Sequence, residues 1–168
     1  MTTLDEFYSQ AASLVSAVNA FSAKYNLDGI VVLDHIGFKC DSQELFEQLR
    51  SQLERESAFI YQSYISKRRI AVIKLRRPFE TTLGPISVLE LSDQKPDHSQ
   101  TKRFDHLEIY PTTTTYDDLV SRLQEQGAAV KKVERPHHTT YDIDLGSGLT
   151  LKLTREPLVE KIKREEMT

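Results

Sequence analysis

The sequence predicts an α+β fold in which two βαβββ modules form one curved mixed sheet around a cleft. Helices lie on the outside, and an extra helix stands at the N-terminus. Three observations predict it. The order of elements repeats along the chain, a short motif recurs where each half opens, and four strands alternate in one common phase.

The apolar residues Leu4, Phe7, Tyr8, Ala11, Leu14, Val15, Val18 and Phe21 recur at three- and four-residue steps, predicting a helix over 4–24. The polar tract around Asn26, Asp28 and Gly29 ends it. Residues 30–40, IVVLDHIGFKC, read as a Val- and Ile-rich strand. A helix follows, with Asp41 as N-cap, Glu44 three residues on, and Leu45, Phe46, Leu49 and Leu53 as its buried stripe. Strands are expected at 58–65 and 69–76, joined by the basic turn at Ser66, Lys67 and Arg68, with Pro78 breaking the second. Gly84-Pro85 opens a strand at 86–91.

The polar segment from Ser92 to Arg103 has no periodicity and reads as a linker. The order then repeats. A strand at 104–110 precedes a helix at 116–126, capped by Thr115, supported by Asp117 and Asp118, and stopped by Gly127. Strands near 129–134, 140–145 and 149–154 complete the second half, and Pro157 starts a C-terminal helix containing Leu158, Val159 and Ile162. The expected layout is one domain over 1–168: N-terminal helix 1–28, first module 29–92, linker 93–103, second module 104–156 and C-terminal helix 157–168. A length of 168 residues suits one domain, since domains average roughly 150.

The halves match in sequence where each opens, Leu33-Asp34-His35-Ile36 against Phe104-Asp105-His106-Leu107. They also match where each closes, Leu89-Glu90-Leu91 against Leu151-Lys152-Leu153. Alternation then directs Ile36, Phe38, Leu89, Leu91, Leu107, Ile109, Leu149, Leu151 and Leu153 to the helices. It leaves His35, Gly37, Glu90, His106, Glu108 and Lys152 on the other face. Two imidazoles and a carboxylate on one face are a donor set for a divalent ion such as Fe²⁺, Mn²⁺, Ni²⁺ or Zn²⁺. His35, Glu90 and His106 are therefore the candidate metal ligands.

This repeated architecture, with an Asp-His-apolar motif opening each module, resembles the vicinal oxygen chelate superfamily. That superfamily includes glyoxalase I, extradiol dioxygenases, methylmalonyl-CoA epimerase and antibiotic-resistance proteins. The N-terminal helix, the segment LDHIGFKC and the ending LTLKLTREP look most like the small bacterial YecM-like proteins. The resemblance implies ligands on the first and last strands of each module, which here are His35, Glu90, His106 and, at the fourth position, Lys152. A protonated lysine does not ligate, so the resemblance leaves a three-ligand site. It implies a divalent metal cofactor (Zn, Fe, Mn or Ni) and an isomerase, lyase or dioxygenase acting on a small oxygen-chelating molecule. The alternative is a metal-free binding or sequestering module in which Lys152 pairs with Glu90.

Lys152 otherwise serves as an anchor for a substrate carboxylate or enolate, or as a base. His137 and His138 are candidate substrate-facing residues. Asp34 and Asp105 are expected to hold turns or backbone amides, and Cys40 to be a buried filler. A net charge of −3 and a pI near 6.0 give no electrostatic reason for binding nucleic acid or anionic lipid. No apolar run approaches the roughly 18 residues of a membrane span. The opening residues lack a signal-peptide pattern, and a single cysteine excludes an intrachain disulfide. The expected partner is a small molecule, in a cytoplasmic monomer or homodimer.

Overall fold

A computed structural model describes residues 3–65, 67–136 and 139–166. In chain order the elements are α1 (Thr3–Tyr25), β1 (Val31–Lys39), α2 (Gln43–Arg55), β2 (Ser57–Ile65), β3 (Arg68–Thr81) and β4 (Gly84–Ser92). They continue with β5 (Arg103–Pro111), α3 (Tyr116–Glu125), β6 (Lys131–Glu134), β7 (Thr139–Asp144), β8 (Thr150–Leu153) and α4 (Leu158–Glu166). The strands form one eight-stranded mixed sheet in the order β2-β3-β4-β1-β5-β8-β7-β6. The first strand of each module runs parallel to its last, β1 with β4 and β5 with β8. The two first strands meet antiparallel at the centre. The sheet is therefore continuous across the junction of the modules.

Helix α1 belongs to the core. Leu4, Phe7, Ala11, Leu14, Val18 and Tyr25 are all buried, at the spacing that puts them on one face. Phe7 stacks edge-on against Phe38 of β1 at 5.2 Å between ring centres and lies 5.2 Å from Phe104 of β5, so one ring ties both modules. The anticipated inward residues Ile36, Phe38, Leu89, Leu91, Leu107, Ile109, Leu149, Leu151 and Leu153 are all buried in that core. Cys40 is buried there too, and burial pushes its thiol well above the ordinary range, so it is inert filler.

Two local readings need correction. The α2 cap is Ser42 rather than Asp41. Ser42 takes the extended backbone, and its Oγ accepts the Leu45 N–H at 3.1 Å, while Glu44 falls in the first turn. Strand β3 continues through Pro78 to Thr81. The ladder with β4 is interrupted between Lys74 and Phe79, so the proline sits where its missing N–H costs no bond. The segment joining the modules carries no helix or strand, in line with the linker expectation, and buried amides pin it. Gln94 Nε2 donates to the carbonyls of Asp41 and Gln100, and Gln100 Nε2 to those of Cys40 and Asp93.

Candidate metal centre

The Asp-His dipeptides do more than mark a repeat. On β1 the pairing with β5 jumps from Leu33↔Ile109 to His35↔Glu108, leaving Asp34 as an extra residue. On β5 the pairing with β1 skips Asp105 between Gly37↔His106 and Phe38↔Phe104. Each aspartate is thus the unpaired residue of a β-bulge, which bends the strand and re-aims the neighbouring side chain. Strict alternation would send an aspartate and the next histidine to opposite faces. The bulges instead let each aspartate reach its own neighbour: Asp34 Oδ2 lies 2.7 Å from His35 Nδ1, and Asp105 Oδ2 lies 3.0 Å from His106 Nδ1.

A carboxylate accepts, so each Nδ1 carries the hydrogen and each Nε2 is left facing the site. Asp34 also fulfils the expected backbone role, accepting the Leu158 N–H at 2.8 Å at the start of α4. Asp105 is further held by Lys39 at 3.1 Å. Burial opposes ionisation of Asp105, but the bond from His106 and the Lys39 charge prevail and hold its carboxyl well below the usual range.

The three anticipated ligands converge. One donor atom each from His35, Glu90 and His106 lies within 4.8 Å of the others. Glu90 approaches both rings by their Nε2 atoms, at 3.8 Å from His35 and 3.9 Å from His106. The rings stand edge to face with centres 5.5 Å apart. His106 reaches this position because β1 has a glycine opposite it: a β-carbon on Gly37 would overlap the imidazole. The histidines are buried, His35 to 1 % exposure, while Glu90 and Glu108 keep 24 % and 20 % and give the site its solvent side.

Glu108 is a site residue that the ligand motif does not single out, although it lies two residues beyond His106 and in phase with it on the same face. Its Oε2 is 3.0 Å from His35 Nε2 and 3.8 Å from His106 Nε2. Burial disfavours charge on His35, yet the carboxylates of Glu108, Asp34 and Glu90 override it and lift the imidazole to about 10. Burial likewise opposes charge on Glu108, but His35, His106 and Lys152 bring its carboxyl down to about 2.

Lys152 lies beside Glu108 in the β5–β8 register, on the same face. The anticipated pairing with Glu90 is not what the structure contains. The Lys152 ammonium pairs with Asp142 Oδ2 of β7 at 3.6 Å, because Asp142 is its direct cross-strand partner. His137 and His138 lie outside the described residues.

The buried donor set fits a divalent ion. His35 Nε2 is shut off from solvent and makes no well-aligned hydrogen bond, and the Glu108 oxygen 3.0 Å away meets it as an ion-pair contact. A buried imidazole nitrogen without an aligned partner, its sister nitrogen fixed by a carboxylate, is suited to a metal ion.

Two modules sharing a central antiparallel pair, with a histidine from each beside a carboxylate from a closing strand, define a protein of the vicinal oxygen chelate fold. The family profile described as YecM protein matches residues 1–165, and the chain belongs to that family. Among curated proteins none matches. Among solved structures, one described as Structural Genomics, Protein EC4020 is similar over 97 % of this chain and 93 % of its own, at 20 % identity and a TM-score of 0.76. A methylmalonyl-CoA epimerase is similar over 76 % of this chain and 97 % of its own, at 13 % identity and a TM-score of 0.50. At these identities the likeness shows the fold. Among the described residues no helix is long and apolar enough to cross a membrane.

Proposed function

We propose that this chain is a metal-dependent protein in which His35, Glu90 and His106 hold a divalent Zn, Fe, Mn or Ni ion that engages paired oxygens of a small molecule. The observation that carries this reading is the convergence of the three donor atoms within 4.8 Å, with both Nδ1 atoms already fixed by Asp34 and Asp105. A bound ion supplies Lewis-acid polarisation and a template for two substrate oxygens. Such chemistry belongs to isomerases, lyases and dioxygenases, and the epimerase sharing the fold is an isomerase by name.

The chain's own residues would divide the remaining work. Asp34 and Asp105 hold the imidazoles in the tautomer that presents Nε2. Glu90 spans both rings from the solvent side, where a substrate arrives. Lys152, held by Asp142, adds positive charge beside Glu108 and is the candidate anchor for an anionic substrate oxygen, a role also proposed for His137 and His138. The metal-free alternative pairs Lys152 with Glu90, and the contact of Lys152 with Asp142 favours the metal reading over it.

Metal analysis of protein purified without chelator tests the proposal. One equivalent of a divalent ion is expected in the wild type, falling below about a tenth in His35→Ala and Glu90→Ala, since removing even outer-layer partners costs roughly 10–100-fold in affinity. Sub-stoichiometric metal that the substitutions leave unchanged would refute it.

A further inference from the structure

We propose that Glu108 is a fourth protein ligand of the centre, supplied by β5 in place of the carboxylate that β8 lacks. This rests on the metal reading above and goes beyond its three-residue set. Glu108 Oε2 is closer to His35 Nε2 than Glu90 is, at 3.0 Å against 3.8 Å, and as near to His106 Nε2, at 3.8 Å against 3.9 Å. It faces the two nitrogens that face Glu90, and neither of the nitrogens that the aspartates occupy.

A carboxylate serving only as a partner for a protonated imidazole would align with its N–H. Glu108 lies 3.0 Å from His35 Nε2, yet that buried nitrogen makes no well-aligned hydrogen bond. An oxygen beside both Nε2 atoms shares with them the space that an ion held by the two rings would occupy.

The register explains the exchange of strands. Glu108 and Lys152 are paired neighbours on β5 and β8, so a carboxylate moved from the second position to the first stays on the same face beside the same histidines.

The test is calorimetric titration of metal-stripped wild type, Glu108→Gln and Glu108→Asp with Zn²⁺, together with absorption spectra of the Co²⁺ forms. Circular dichroism checks that each variant folds. Glu108→Gln keeps the shape and removes the charge. It is expected to weaken Zn²⁺ binding by about 100-fold, the upper end of the cost of an outer-layer partner, and to alter the Co²⁺ visible bands. Glu108→Asp withdraws the carboxylate by one methylene and is expected to lose about tenfold, so it decides the matter if Glu108→Gln does not fold. Binding within about threefold of wild type in the folded variants, with unchanged Co²⁺ bands, would overturn the assignment of Glu108 while leaving the three-residue site intact. A folded wild type that binds no Zn²⁺ would overturn both.

Discussion

β1 and β5 correspond residue by residue through their Asp-His pairs. Each has its bulge at the aspartate, each histidine is held through Nδ1, and each strand runs parallel to the last strand of its module. Two residues past each histidine the correspondence breaks. The first module has Gly37 paired with Glu90, whereas the second has Glu108 paired with Lys152. The glycine leaves room for the other module's imidazole, and the glutamate reaches across to the first module's imidazole. The shared features build the scaffold and aim the histidines. The asymmetric pair distributes charge and space, and that is what makes the two halves one site rather than two copies of half a site.

The largest effect should come from removing the residue both modules share in the core. Phe7→Ala is expected to cost about 3–5 kcal/mol of unfolding free energy in urea, the range for a fully buried aromatic ring. A loss below about 1 kcal/mol would mean that α1 is dispensable to the junction.

A second consequence runs over pH in the metal-free protein. His35 is raised from 6.5 to about 10, so its contribution is complete below about 6.5 and is lost as pH rises through 10. Glu108 is lowered from 4.5 to about 2, so its contribution is present above about 4.5 and is lost as pH falls towards 2. Urea midpoints for this pair should therefore be highest between those limits, and His35→Gln should flatten the alkaline decline. An alkaline limb identical in the variant would contradict the coupling across the modules.

Filling the gap in β1 sharpens the comparison directly. Gly37→Ala puts a methyl group where the His106 ring lies. An overpacking cost of about 1–3 kcal/mol is expected, together with weakened Zn²⁺ binding, read from melts and titrations of the same sample. Unchanged values for both would show that His106 can move aside without consequence.

The smallest effect is expected at Lys152. Its partner is Asp142, so Lys152→Met should leave Zn²⁺ affinity within about threefold and cost no more than roughly 1 kcal/mol in stability. A tenfold gain in affinity would instead reveal a lysine suppressing the centre.

Much of the fold is legible along the chain because hydrophobic period reports which face each segment buries. The stripe from Leu4 to Phe21 and the alternations at Leu89–Leu91 and Leu149–Leu153 all point to the core they form. The site was partly legible for the same reason, since His35, Glu90 and His106 lie in phase on the far face. Pro78 misleads because a strand tolerates proline where its ladder is already interrupted. The aspartate–histidine contacts are not legible in the chain because alternation assumes one residue per pleat, and a bulge inserts one more.

Residue order alone determined the two-module architecture and the recurrence of Asp-His, because periodicity and repetition are properties of a linear chain. Only the tertiary structure decided that Glu108 rather than Lys152 completes the acidic face, that Gly37 hosts the His106 ring, and that Lys152 turns to Asp142. Those outcomes depend on strand register between segments distant in sequence. A displacement of one residue there moves a side chain to the opposite face of the sheet.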